Sequence, residues 1–181
     1  MNTTNIERYL NSFGRKVVDE AQKNLYISKG TTALERSIRF EVVPDDQGFS
    51  TRFYMDDYGE YLDKGVSGNK QQQSFTNYKN TTQSSPYSYT TKGPPIDIIS
   101  KWIKKKGIEP KGLGRGRSKN TGQYISGFAY LISRKIKRDG IKSLSFFQKP
   151  LGVEYEKLQE DLLKELKLDI ETYITTFYRP K

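Results

Sequence analysis

The chain has 181 residues, a formal net charge of +10, no Cys and no His. Without Cys there is no disulfide, thiol nucleophile or cysteine-based zinc site, and without His the commonest general base and metal ligand are missing. Any catalysis would have to run on carboxylates, Lys or Tyr.

The length fits one domain, and a domain of this size hides roughly 70% of its extended-chain surface. Nine Phe, 13 Tyr and one Trp supply large side chains for a core. The charge is uneven. Residues 1–100 hold 12 basic and 12 acidic side chains, whereas residues 101–149 hold 14 Lys/Arg against Glu109 and Asp139 alone. Residues 150–181 return to a slight acidic excess, 5 basic against 7 acidic. A basic segment after a neutral half points one face at something anionic, in a small protein usually nucleic acid. No apolar run approaches the roughly 20 residues of a membrane span, and residues 1–8 lack the basic start and apolar stretch of a signal peptide. The chain is therefore expected in a cytoplasm or in a particle packaged from one, with no membrane contact.

Ile6, Leu10, Phe13, Val17, Ala21 and Leu25 recur every three or four residues and predict a helix over about 4–27 with one core-facing stripe. Ile38, Phe40 and Val42 alternate with Arg39 and Glu41, then Phe49, Thr51, Phe53 and Met55 alternate after a Pro/Asp/Gly turn. That pattern predicts a β-hairpin over about 36–43 and 49–56. Residues 58–66 read as a short strand or a turn of helix packing Tyr58, Tyr61 and Leu62. Residues 67–93 show no period, carry many Gln, Asn, Ser and Thr, and hold Phe75, Tyr78, Tyr87 and Tyr89. The expectation is a long polar loop, mobile in the free subunit and ordered on a partner.

Pro94-Pro95 opens a helix whose apolar face is Ile96, Ile99 and Ile103. Lys104, Lys105 and Lys106 load its C-terminus, where the helix dipole favours cations. Residues 109–120 read as a flexible basic Gly-rich loop holding Arg115, Arg117 and Lys119. A third helix is expected over about 121–139, with Ile125, Phe128, Leu131, Ile132 and Ile136 inward and Arg134, Lys135, Lys137 and Arg138 around them. Residues 145–151 read as a turn or short strand. The last helix is expected over 152–175, with Leu158, Leu162, Leu166, Ile170 and Ile174 on one stripe. The fold class is thus α+β, a single domain in which a small antiparallel sheet (the hairpin plus a short strand) packs with about four helices.

Few residues suggest chemistry. Gly112, Gly114 and Gly116 lack the spacing and the preceding strand of a dinucleotide or P-loop site. Asp56, Asp57, Glu60 and Asp63, with Lys64 beside them, form the best carboxylate cluster for a metal nuclease. Glu109-Pro110-Lys111 has nuclease-like spacing, but its proline spoils the strand such a motif needs. No catalytic residue, metal or cofactor is expected. Arg115, Arg117 and Lys119, joined by Lys135 and Arg138, suit a phosphate backbone better.

Taken in order, the first helix, the hairpin, residues 58–66, 95–108, 128–141 and 146–151 and the closing helix form a composite. It resembles the tail-completion or neck proteins of tailed bacteriophages, the family related to the HK97 tail component. The resemblance implies a structural virion protein and not an enzyme. It would form a homo-oligomeric ring that joins the head connector (portal or adaptor proteins) to the tail tube or tail terminator and surrounds the DNA exit channel. On that reading Phe75, Tyr78, Tyr87 and Tyr89 make subunit or neighbour contacts. Lys104, Lys105, Lys106, Arg115, Arg117 and Lys119 then face exiting DNA or another anionic partner. The place implied is the virion neck, with assembly in the host cytoplasm. The alternatives are a stand-alone DNA-binding protein using the 101–149 segment and, third, the carboxylate metal nuclease.

Overall fold

The structure, a computed structural model, describes residues 5–29, 33–46, 48–105, 115–117 and 124–177. It is an α+β fold of six helices and four two-stranded sheets among the described residues. The chain divides into two compact units. Unit 1 comprises residues 1–63, 76–83 and 144–181, and unit 2 comprises residues 64–75 and 84–143.

Unit 1 begins with α1 (Asn5–Lys29), the expected helix. Its stripe is buried at Leu10, Phe13, Val17, Val18, Ala21 and Leu25. A short helix, α2 (Ala33–Ser37), was not foreseen. It inserts Leu34 into the core, and its backbone is held from α1, where Gln22 Nε2 donates to the carbonyl of Glu35 at 3.0 Å.

The hairpin is β1 (Arg39–Asp45) with β2 (Gly48–Tyr54), antiparallel, Phe40 opposite Phe53 and Asp45 opposite Gly48. The expected five-residue turn is shorter than foreseen, because Pro44 continues β1 opposite Phe49. In a two-stranded sheet every strand is an edge, so a residue without an N–H is tolerated there. Phe53 is the aromatic hinge of this core, meeting the ring of Phe13 at 6.3 Å and that of Phe147 at 5.3 Å, both edge-on. The hairpin presses closely on α1. A Cβ on Gly14 would lie 2.3 Å from the ring of Phe40, so only a glycine fits that approach.

Residues 58–64 settle as a helix, α3 (Tyr58–Lys64), and not as a strand. Tyr58 and Tyr61 were expected to pack and are instead 45% and 46% exposed. The buried positions are Gly59 and Asp63, with Leu62 partly covered. In a helix this short only one narrow face reaches the core.

The last helix, α6 (Gln148–Phe177), begins four residues before the expected start. Pro150 made residues 145–151 look like a break. It sits in the first turn, where the backbone N–H has no helical partner to lose. The two aromatics before it are buried in the core, Phe146 at 1% exposure and Phe147 at 7%.

Helices α1 and α6 pair antiparallel. Asp169 accepts the N–H groups of Asn5 at 2.9 Å and Ile6 at 3.1 Å, Tyr9 Oη reaches Asp161 at 3.5 Å, and Lys16 pairs with Glu154 at 3.8 Å. A carboxylate on α6 thus caps the positive end of α1.

Unit 2 is built on α4 (Ile96–Lys105) and α5 (Gly127–Asp139). Their small core holds Ile99, Ile103 and Ala129, flanked by Ile96, Phe128, Ile132 and Ile136. Ala129 and Ser133 lie one turn apart on the inner face of α5, and Ser133 Oγ donates to the carbonyl of Pro94 at 2.7 Å. Leu131 was expected inward and is 47% exposed, because it lies off that face.

The expected start of the third helix at 121 is also corrected. Residues Tyr124–Ser126 are a strand, β7, paired antiparallel with β6 (Arg115–Arg117). Ile125, three residues before Phe128, fits a helical period and a strand equally well.

The 67–93 segment is not structureless. β3 (Val66–Ser67) pairs with β8 (Gly140–Ile141), and Ser67 also bridges Ser88. β4 (Ser74–Thr76) pairs with β5 (Thr82–Ser84), and the boundary between the units falls within both strands. Gly140 has a φ of +80°, and a Cβ there would meet the carbonyl oxygen of Val66 at 2.1 Å.

Three outcomes are expected. Asp63→Ala removes the buried carboxylate that accepts the Phe147 N–H at 2.8 Å, and urea unfolding followed by circular dichroism should show a loss of about 2–3 kcal/mol. Gly140→Ala forces both a strained φ and a clash, and should lose at least about 1–3 kcal/mol in the same measurement. The phenol of Tyr9 is raised above its ordinary value, first by burial and then by the nearby Asp161 and Glu154. A raised value means the fold favours the neutral phenol. That contribution is complete below the unfolded value and is lost as pH rises through the folded one. Tyr9→Phe should therefore flatten the alkaline fall in stability across that window, read by denaturant midpoints at successive pH values.

Candidate interaction surfaces

Each unit carries a large concave surface, and the two differ in chemistry. In unit 1 an apolar groove of about 630 Å³ runs between the start of α1, the tip of the hairpin and α6. Ile6, Leu10, Phe49, Leu158, Leu162 and Leu166 are among its walls. Tyr78 closes one side, its ring edge-on to Tyr155 at 5.2 Å. The Tyr78 N–H donates to Gln148 Oε1 at 3.0 Å, which fixes the turn that carries it.

Beyond this groove the second half of α6 stays uncovered. Leu163, Leu166, Ile170, Tyr173 and Ile174 are between 40% and 65% exposed. For Ile170, Tyr173 and Ile174 the cause is length. α1 begins opposite Asp169, so the last two turns of α6 have no described residue of α1 beside them. The expected stripe therefore splits. Leu158 and Leu162 are partly buried, whereas Leu166, Ile170 and Ile174 face out. Leu163 and Tyr173 widen this stripe and Leu168 lies off it, which is the sequence signal of a helix with more apolar surface than one neighbour covers.

In unit 2 a cleft of about 750 Å³ is lined by Lys70, Arg134, Lys135, Lys137 and Arg138, with Ile96, Tyr130 and Leu131 as its apolar part. The local structure explains how these cations meet. The carbonyls of Lys137 and Arg138, left open at the end of α5, accept the N–H groups of Asn69 at 2.9 Å and Lys70 at 3.0 Å. That strap carries Lys70 to the helix. Gln73 Nε2 secures it further through the Asp139 carbonyl at 2.7 Å. Lys137 Nζ donates to the carbonyl of Thr91 at 2.6 Å, and the Arg134 guanidinium lies 5.7 Å from the Tyr130 ring.

Arg138 is matched by an acid through a two-point contact with Asp139 at 2.6 and 2.8 Å, and Lys135 adds a weaker electrostatic pull on the same carboxylate. That hydrogen bond holds the Asp139 carboxyl below its ordinary value and raises the guanidinium. Among the described residues, Lys70, Arg134, Lys135 and Lys137 form no ion pair with a carboxylate.

The residues singled out from sequence are distributed as follows. Phe75 is buried at 8% exposure and belongs to the packing of unit 2, so it offers a neighbour little surface. Tyr78 walls the apolar groove. Tyr87 and Tyr89 are half-buried, their backbones bonded to Ser67 on either side of its bridge to Ser88. Burial also raises the Tyr89 phenol above its ordinary value. Lys104 and Lys105 are exposed in the last turn of α4. Arg115 and Arg117 are the first and last residues of β6, and Lys106 and Lys119 lie outside the described residues. Of the residues assigned to a phosphate backbone, Lys135 and Arg138 line the cleft. Lys70, Arg134 and Lys137 join them there, and Lys70 comes from the segment read as a long polar loop.

The carboxylate cluster does not gather. Asp63 is 2% exposed and engaged with the Phe147 N–H, while Asp56, Asp57 and Glu60 are exposed. Among the described residues no group of three or more Asp, Glu, His or Cys is placed to hold a metal ion, and no helix is long and apolar enough to cross a membrane.

No family model, no curated protein and no solved structure matches the chain.

Proposed function

We propose that this chain is a structural virion protein of the phage neck, closing into a ring that joins the head connector to the tail and surrounds the DNA exit channel. The observation that carries the reading is the uncovered apolar end of α6 beside an apolar groove on the same unit. Leu163, Leu166, Ile170, Tyr173 and Ile174 together expose roughly 500 Å², as much as the largest patch a monomer usually keeps. With its rim, such a patch approaches the about 800 Å² per partner of a stable interface.

A rigid helix cannot fold its own last turns back into a groove that its earlier turns help to line. The occupant that fits is a second copy, whose α6 end enters the groove of its neighbour. A convex surface meeting a different concave surface is a heterologous contact, and heterologous contacts that close give rings. The resemblance of the chain to neck proteins supplies the setting. Its neighbours would be the portal or adaptor above and the tail tube or terminator below.

Two experiments test this. Gold-labelled antibody on particles from the native source should mark the head–tail junction. Unlabelled particles, with the protein left soluble, would end the neck reading in favour of a stand-alone DNA-binding protein. The chain has no Cys, so Phe49→Cys with Ile174→Cys gives a background-free crosslink. Oxidised particles should yield a ladder of covalent oligomers that stops at the ring size. Ile174→Cys alone giving as much crosslink would mean a two-fold contact and would overturn the groove assignment.

A further inference from the structure

We infer that the cleft of unit 2 is a binding site for a nucleic-acid strand, with Lys70, Arg134, Lys135 and Lys137 on the phosphates and the exposed face of Tyr130 against a sugar or base. The site concerns unit 2 alone and holds whether or not subunits close into a ring.

The ordinary explanation of a basic helix end is the helix dipole, which favours cations in the last turn. It accounts for Lys137 and Arg138. It does not account for Lys70, which is brought in from another part of the chain by the 69–73 strap. Nor does it account for Arg134 and Lys135, which precede the last turn. Like charges three and four residues apart on one helix repel by about 0.2–0.5 kcal/mol a pair. Arg134 with Lys137, Arg134 with Arg138 and Lys135 with Arg138 are such pairs, and the one acid of α5, Asp139, is taken up chiefly by Arg138.

Geometry narrows the anion. Arg134 and Lys137 are nearly one helical turn apart, about 4.5 Å along the axis, within side-chain reach of successive phosphates of a strand. The helix strings Arg134, Lys135 and Lys137 in a row along its axis, and the strap adds Lys70 at its end. A 47% exposed Tyr130 stands beside the row, holding the Arg134 guanidinium against its face. A cationic row with an aromatic platform is what single nucleic-acid strands meet on their binding proteins. A single strand brings a sugar and a base beside every phosphate, so a ring next to the cations always finds a partner there. Arg138, already held by Asp139, orders the end of the row and is a positioning residue.

The experiment uses the full chain and fluorescein-labelled 20-nucleotide single-stranded DNA, with binding read by anisotropy across a series of salt concentrations. Arg134→Glu with Lys135→Glu is compared with Lys149→Glu and Lys157→Glu on exposed positions of α6, which change net charge equally. The site pair should weaken binding about tenfold or more and lower the salt slope by about two, as expected for two lost phosphate contacts. The control pair should change affinity less than about threefold, as expected of charges outside the site. Equal losses in both variants, or none in either, would overturn the assignment. So would displacement of the DNA by poly-glutamate at the same charge concentration, which would mark an acidic protein as the target. Loss of binding with the crosslink ladder intact separates this site from the ring contact.

Discussion

Unit 1 depends on one buried carboxylate. Asp63 closes α3, and its side chain accepts the N–H of Phe147 at the point where α6 begins, while its carbonyl accepts the N–H of Ser145. A carboxylate almost wholly out of water is unfavourable unless its oxygens are satisfied, and the positive end of a thirty-residue helix satisfies it well. Much follows from where this clasp sits. It turns Phe146 and Phe147 into the core, sets Phe147 against Phe53, and fixes where α6 starts along α1. With the start fixed, Asp169 arrives at the first turn of α1. Both long helices are thus begun by a carboxylate far away in sequence.

The same clasp explains why Asp63 misled as a candidate for chemistry. In the sequence it stands near three other acids and a lysine, a composition that suits a metal. In the fold the four diverge, because α3 turns Asp63 inward and leaves Asp56, Asp57 and Glu60 in water. Composition gives proximity along the chain, whereas the helical period decides which neighbours share a face.

Period was also what made most of the fold legible. α1, the hairpin and α4 are visible in the spacing of Leu10, Phe13, Val17 and Ala21, of Phe40 and Val42, and of Ile96, Ile99 and Ile103. Misreadings arose where a residue answered two rules at once. Pro150 reads as a breaker and serves as a first-turn proline. Ile125 continues a helical stripe and lies in a strand. The pairing of Val66–Ser67 with Gly140–Ile141 joins segments too far apart, and too short, for any local pattern to announce them. The candidate surfaces were less legible for the same reason. The basic excess of residues 101–149 was plain, but Lys70 enters the cleft only through backbone bonds to the end of α5. The uncovered end of α6 emerges only once the two long helices are laid side by side.

The cap on α1 bears on the order in which the protein can be made. The first-turn amides of Asn5 and Ile6 wait for a carboxylate at position 169, and α6 is the last described element to be synthesised. Unit 2 comprises residues 64–75 and 84–143, so its chain is complete before that helix exists. On a growing chain, unit 2 has all its residues first, while the apolar stripe of α1 lacks its cover. Pairings this distant are slow to form, and stripes that wait are exposed to association with other chains. Of the described helices, the earliest-made is therefore the one that stays vulnerable longest, and it is the one a folding chaperone would have reason to hold.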